Sequence, residues 1–190
     1  MQCQACAAQV VFAEAESGTA LIERAKHDRD AFAILYRQHY QRVANYLYRR
    51  TGDVHATEDL VADVFLTVLR YLPRYRQRGL PFRSWLYRIA SNAANRWARQ
   101  RRKTLRSLED DVAAALPGRQ PAQTDCFDIE RAQRLLLELS PRHQTVLALH
   151  YLEGLSVQEV AQVVGCRVGT VKSRLSRARD ALRGRLGIGR

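Results

Sequence analysis

The sequence predicts an all-α protein built as two helical domains joined by a flexible linker. Three observations carry that expectation. Apolar residues return at steps of three and four along most of the chain, and strand-like alternation persists nowhere. Two punctuation points, Thr51-Gly52-Asp53 and Ser140-Pro141, stop or start helices by familiar chemistry: a glycine past the end, an N-cap followed by proline. Between residues 104 and 125 the helical period breaks into Glu109-Asp110-Asp111, Leu116-Pro117-Gly118 and Pro121, a linker composition. The expected division is a tail over 1–18, a first helical unit over 19–103, the linker over 104–125 and a second unit over 126–190.

The opening residues are weakly patterned and run out at Ser17-Gly18. From Asp30 a long helix is predicted, with Phe32, Leu35, Tyr36, Tyr40, Val43 and Leu47 along one side and Gly52 as its stop. The next runs from about His55 to Leu72, burying Val61, Val64, Phe65, Val68 and Leu72, until Pro73 ends it. LPRYRQRGLPF reads as a loop carrying two exposed aromatics. A helix resumes from Phe82 to Lys103, with Phe82, Leu86, Ile89, Ala93 and Trp97 inward. After the linker, a helix over about Phe127 to Leu139 turns Ala132, Leu135, Leu136 and Leu139 to the core. Ser140-Pro141 then opens a helix reaching Glu153-Gly154.

Ser156 to Leu182 organises the second unit. Ser156 and Glu159 form an S-x-x-E capping box, and Val157, Val160, Ala161 and Val164 give an apolar face. Gly165 stands where a tight turn needs a positive φ. Beyond it Val168, Val171, Leu175, Ala178 and Leu182 continue the apolar stripe, while Lys172, Ser173, Arg174, Arg177 and Arg179 occupy the other face. A helix buried on one side and basic on the other suits a DNA major groove, so the pattern predicts a helix-turn-helix rather than a plain helical hairpin.

Charge agrees. The 190 residues carry a formal net charge of +12, and no acidic residue falls between Asp63 and Glu109 while twelve basic ones do. A second basic cluster spans Arg167 to Arg185, broken only by Asp180. Two separated basic surfaces predict two contacts with nucleic acid. Interleaved with the first, Arg83, Tyr87, Ser91, Asn92, Asn95, Arg96 and Arg99 face away from the inward stripe, beside a loop bearing Tyr75. Aromatic faces for stacking, amides for base edges and guanidinium groups for phosphates are what a single-strand binder uses. Trp85 and Trp97 are expected in the core. Asp59 and Asp63, one helical turn apart, make an acidic strip in a basic protein: a docking site for a basic partner, or a solvated face.

No run is long and apolar enough to span a bilayer, and the start lacks the basic segment of a signal peptide, so a cytoplasmic protein without membrane insertion is expected. Four cysteines make no disulfide scaffold. Cys3 and Cys6 form a lone C-x-x-C without a second ligand pair, and Cys126 and Cys166 read as small apolar fillers. No metal or cofactor is expected. Phosphate loops, dinucleotide fingerprints, nucleophile elbows and HExxH are all missing from the sequence, and five scattered histidines suggest no catalytic pairing.

Three segments in order, TEDLVADVFLTVLRYL, FRSWLYRIASNAANRWARQRRK and LSPRHQTVLALHYLEGLSVQEVAQVVGCRVGTVKSRLSRARDALR, resemble bacterial sigma factors. The resemblance is to the short extracytoplasmic-function class, which keeps only the second and fourth sigma regions, and it runs from about residue 30 to 186. It implies that the first unit grips core RNA polymerase, with Asp59 and Asp63 on the clamp helices. The loop from Arg74 to Phe82 would capture a flipped base of the minus-ten element. Arg74, Tyr75, Arg76, Phe82, Arg83, Tyr87, Asn92, Asn95, Arg96 and Arg99 are its expected contacts to the melted non-template strand. Extruding a base costs a few kcal/mol, which stacking and phosphate contacts offset. The second unit would read minus-thirty-five duplex through Arg167, Gly169, Thr170, Lys172, Ser173, Arg174, Ser176 and Arg177. Partners implied are core polymerase, promoter DNA and an anti-sigma factor. Three departures stand out: Ala62 where the family often has glutamine, Arg96 where it often has an acidic or amide residue, and Arg167 in place of a cap former or proline.

A two-domain regulator of the response-regulator type is the competing class, since its DNA-binding domain also opens on LSPRHQTVLAL-like sequence and carries a TVK helix. That class brings an α/β receiver upstream, whereas this chain has basic, all-helical sequence there.

Overall fold

A computed structural model describes residues 18–77, 80–109 and 127–186. All its regular elements are helical. A short helix the periodicity did not predict, α1 (Gly18–Ala25), comes first, followed by α2 (Arg29–Thr51) and α3 (Val54–Tyr71). A 3-10 turn (Leu72–Arg74) containing Pro73 leads toward α4 (Phe82–Glu109). The second unit comprises α5 (Phe127–Glu138), α6 (Pro141–Leu147), a π turn (Ala148–Leu152), α7 (Val157–Val164) and α8 (Val168–Leu186).

The expected punctuation is present, except that Ser140 stands at the start of α6 without a side-chain cap bond. Gly52 caps α2 with φ 66°, its N–H returning to the Tyr48 carbonyl, and Asp53 then caps α3 by accepting from the Ala56 N–H. Ser156 and Glu159 complete both halves of the capping box on α7, and Gly165 turns the chain at φ 71°. Replacing Ser156 with alanine should cost about 1 kcal/mol of stability in a denaturant melt. Two boundaries differ from expectation. Helix α4 runs past Lys103 to Glu109, because nothing in Thr104–Glu109 breaks a helix once it is nucleated. The Ser140 helix widens into a π turn before Glu153, which shifts the last residues of that segment out of α-register.

The core is one continuous cluster. In the first unit Leu35, Val43, Tyr46 and Leu47 of α2 meet Val61, Val64 and Val68 of α3 and Leu86, Ala90 and Ala94 of α4. In the second, Leu139, Val146, Leu149 and Leu155 close over Val160 and Val163 of α7 and Val171, Leu175 and Ala178 of α8.

The two units do not stand apart. Helix α4 packs on α6 and α7, and α2 packs on α5. Arg50, only 3% exposed, donates to Gln144 Oε1 (2.9 Å), the Pro141 carbonyl (3.1 Å) and Asn95 Oδ1 (2.7 Å). Arg88 Nη2 donates to the Gln162 carbonyl at 2.8 Å. The junction is tight at Gly52, where an added Cβ would lie 2.7 Å from Leu137 Cδ1; at Gly165 the nearest group is Arg88 Nη2 at 3.9 Å. Both glycines hold positive φ, so alanine at either should cost about 1–3 kcal/mol. Gly52→Ala should cost slightly more than Gly165→Ala in the same urea titration, because the Leu137 side chain must swing aside; a smaller cost at Gly52 would contradict that contact.

Candidate nucleic-acid interface

Helix α8 presents the surface that the sequence suggests. Val171, Leu175 and Ala178 are buried, which turns Lys172, Ser173, Ser176 and Arg177 outward. Arg167 and Gly169 are also exposed, whereas Thr170 and Arg174 are half-buried. The Arg167 carbonyl takes the first helical hydrogen bonds, from Thr170 N (2.9 Å) and Val171 N (3.2 Å), so α8 starts cleanly without a side-chain cap former. Ser173 Oγ donates to the Thr170 carbonyl at 3.0 Å, leaving its lone pairs outward, and Arg174 reaches back toward Cys166 Sγ at 3.9 Å. Cys166 itself is half-buried; Cys3, Cys6 and Cys126 lie outside the described residues. Val164 packs half-buried against the core, and Val163, outside the expected stripe, is buried as well.

In the first unit, the candidate strand-binding residues divide. Arg74, Arg76, Asn92, Arg96 and Arg99 are exposed. Tyr75, expected as an exposed aromatic, and Phe82, read both as a loop aromatic and as the first residue of the inward stripe, are each 6% exposed and belong to the core. Tyr75 stacks against Trp85 at 4.9 Å and meets Phe82 edge-on at 5.7 Å, and its hydroxyl donates to the Leu80 carbonyl at 2.8 Å. These aromatics hold the loop instead of waiting for a base. Trp85 is only half-buried, and with the exposed Tyr71 it borders a recess of about 350 Å³ completed by Thr67, Arg74, Tyr75 and Ile89. Trp85 was assigned to the core and Tyr71 overlooked. The signal that could have flagged them is their position on either side of a proline-bounded loop.

Tyr87, expected on the strand-facing side, is 2% exposed, and Asn95 is committed to Arg50. Arg83 donates to the Glu153 carbonyl. The part of that α4 face bearing Arg83, Tyr87 and Asn95 is where the second unit rests, while Asn92, Arg96 and Arg99 stay clear of it. Burial first, and the Glu153 carboxylate next, push the Tyr87 hydroxyl far above the usual phenol range. His39, its ring tilted against that of Phe82 with centroids 5.3 Å apart, is held below its usual value by burial and then by Arg42 and Arg83.

Asp59 and Asp63 stand exposed on α3 and form no ion pair among the described residues. They edge an open groove of about 670 Å³ between α3 and α4, with Leu66, Asn92, Arg96 and Gln100 on its walls. Leu66 and Leu69 are 61% and 49% exposed, so the acids sit beside uncovered apolar surface.

Residues 35–104 match the family described as Sigma-70 region 2, and residues 129–182 match Sigma-70, region 4. RNA polymerase sigma factor YlaC of Bacillus subtilis is 33% identical over 162 residues, covering 83% of this chain and 92% of YlaC. The chain belongs to the sigma-70 family, in its extracytoplasmic-function class. ECF RNA polymerase sigma factor SigE of Mycolicibacterium smegmatis is 34% identical over 154 residues, covering 78% of this chain but only 59% of SigE. Among solved structures, the sigma factor RpoE of Bartonella quintana in complex with the anti-sigma factor NepR is similar. The TM-score is 0.68 at 25% identity, with 84% of this chain and 98% of RpoE covered. This sigma factor therefore serves transcription initiation through two promoter-binding regions, which leaves the response-regulator alternative unfavoured. Among the described residues, no helix of the sigma factor is long and apolar enough to cross a membrane.

Proposed function

We propose that residues 19–103 dock on core RNA polymerase through Asp59 and Asp63 and hold the melted minus-ten strand, while residues 126–190 read minus-thirty-five duplex. The observation that carries this is α8, whose apolar stripe is buried and whose Lys172, Ser173, Ser176 and Arg177 are left bare. A helix buried on one side and polar on the other can enter a major groove, where lysine and arginine meet phosphates and guanine edges. Arg74, Arg76, Asn92, Arg96 and Arg99 would grip the strand, and the Tyr71–Trp85 recess would take the extruded base by stacking.

The residues after α4, up to about residue 125, serve as the connector between the two promoter contacts. The protein works by binding in the cytoplasm, not by catalysing a reaction of its own, and an anti-sigma factor of the kind that holds the Bartonella protein is its expected silencing partner. Footprinting a promoter fragment with the isolated chain and with holoenzyme tests the division of labour. Protection of both elements should require core polymerase. Tight, specific protection by the chain alone would point back to a regulator acting without polymerase.

A further inference from the structure

Glu153 follows the π turn of the second unit, yet its carboxylate lies within the surface of the first, with its side chain 6% exposed. The Tyr87 hydroxyl donates to one carboxylate oxygen, Arg49 Nη1 stands 3.4 Å from the other, and Arg83 donates to the Glu153 backbone carbonyl. The surrounding cleft, about 350 Å³, is lined by Arg42, Asn45, Arg49, Arg83, Leu152 and Glu153. The first unit thus supplies three guanidinium groups, one amide and one hydroxyl, and no acid. That donor set would accept a phosphate as readily as a carboxylate. Arg42 and Asn45 are exposed and sit at the mouth of the cleft, so the cationic lining continues outward past Glu153. A single buried carboxylate does not need a lining that extends beyond it; a chain of phosphates does.

We propose that this cleft is a phosphodiester site for single-stranded nucleic acid, and that Glu153 is its intramolecular stand-in while the two units are packed together. The site widens the strand-binding surface onto α2, through Arg42 and Arg49, which the sequence did not single out. It also gives the packed form a function: the second unit competes with the strand until polymerase draws the units apart. The inference rests on the reading that the first unit holds melted DNA.

The test is fluorescence anisotropy of a labelled short oligothymidylate with the full chain, a probe that carries phosphates but no promoter sequence. Glu153→Gln should bind about tenfold tighter than the parent, the factor expected if the packed form holds about nine-tenths of the free chain. In that background Arg42→Ala should weaken binding and lower the salt slope by about 0.7, one single-strand phosphate contact. Should circular dichroism show Glu153→Gln misfolded, Arg88→Ala, which removes the bond between the units at the Gln162 carbonyl and leaves the cleft lining untouched, should give the same direction of change. Parent-like affinity in the folded Glu153 variant, or no effect of Arg42→Ala upon it, overturns the proposal. The promoter footprint of holoenzyme separates the two readings. An intact footprint with unchanged oligothymidylate binding overturns this proposal and leaves the promoter assignment standing, whereas a missing footprint with tightened binding removes only the promoter assignment.

Discussion

Replacing both Asp59 and Asp63 with lysine is expected to abolish association with core RNA polymerase while leaving the helical circular dichroism signal unchanged. Both side chains are exposed on α3 and make no ion pair among the described residues, so no internal contact is lost when they are reversed. Exposed substitutions of that kind usually stay within about 0.5 kcal/mol of neutral for stability. At an interface the arithmetic differs. Opposing a cationic partner with like charge costs several kcal/mol, and the neighbouring Leu66 and Leu69 surface cannot be covered while the charges repel. Co-purification with tagged core enzyme measures the outcome directly. Retention of the double variant at parental levels would remove the acidic strip from the docking surface, and the groove beside it would need another explanation.

The second large effect is expected at Arg177. It is exposed on α8 one residue before the buried Ala178, so its guanidinium group is fixed on the open face. If it meets a base edge, Arg177→Ala should weaken minus-thirty-five binding by about 1–3 kcal/mol and relax discrimination at one position. Lys172→Ala should behave differently. A phosphate contact carries no sequence information, so its loss should weaken all duplexes evenly and lower the salt slope by about one. Holoenzyme gel shifts on a promoter and on single-base variants separate these two patterns. Equal losses across all sequences at Arg177 would make it a backbone contact, and no loss would remove it from the interface.

Much of this molecule is written locally in its sequence. The Ser156–Glu159 box, the Gly52 and Gly165 turns and the inward run Val171–Leu175–Ala178 were legible because each depends on residues within one or two turns of itself. The exposed half of the α8 surface followed at once, since burying one stripe of a helix fixes the other. What was not legible depends on residues far apart in the chain. Tyr87 and Asn95 lie on the polar side of α4 by any periodic count, but Glu153 and Arg50 reach them from 66 and 45 residues away. A buried polar face looks the same in sequence as a solvated one until its partner is known. Tyr75 misled for a related reason: in a loop flanked by prolines it had no periodicity to place it, and it forms a small aromatic core with Phe82 and Trp85. The separation of the units was the least legible feature, because a linker composition over 104–125 says that two domains can move, not that they do.

Run-off transcription with core RNA polymerase on a template carrying a promoter of the class tests the whole account most directly. A transcript should form only when core enzyme and this chain are both present, and should vanish when either the minus-ten or the minus-thirty-five element is scrambled. A holoenzyme that assembles normally yet initiates equally well on the scrambled templates would contradict it.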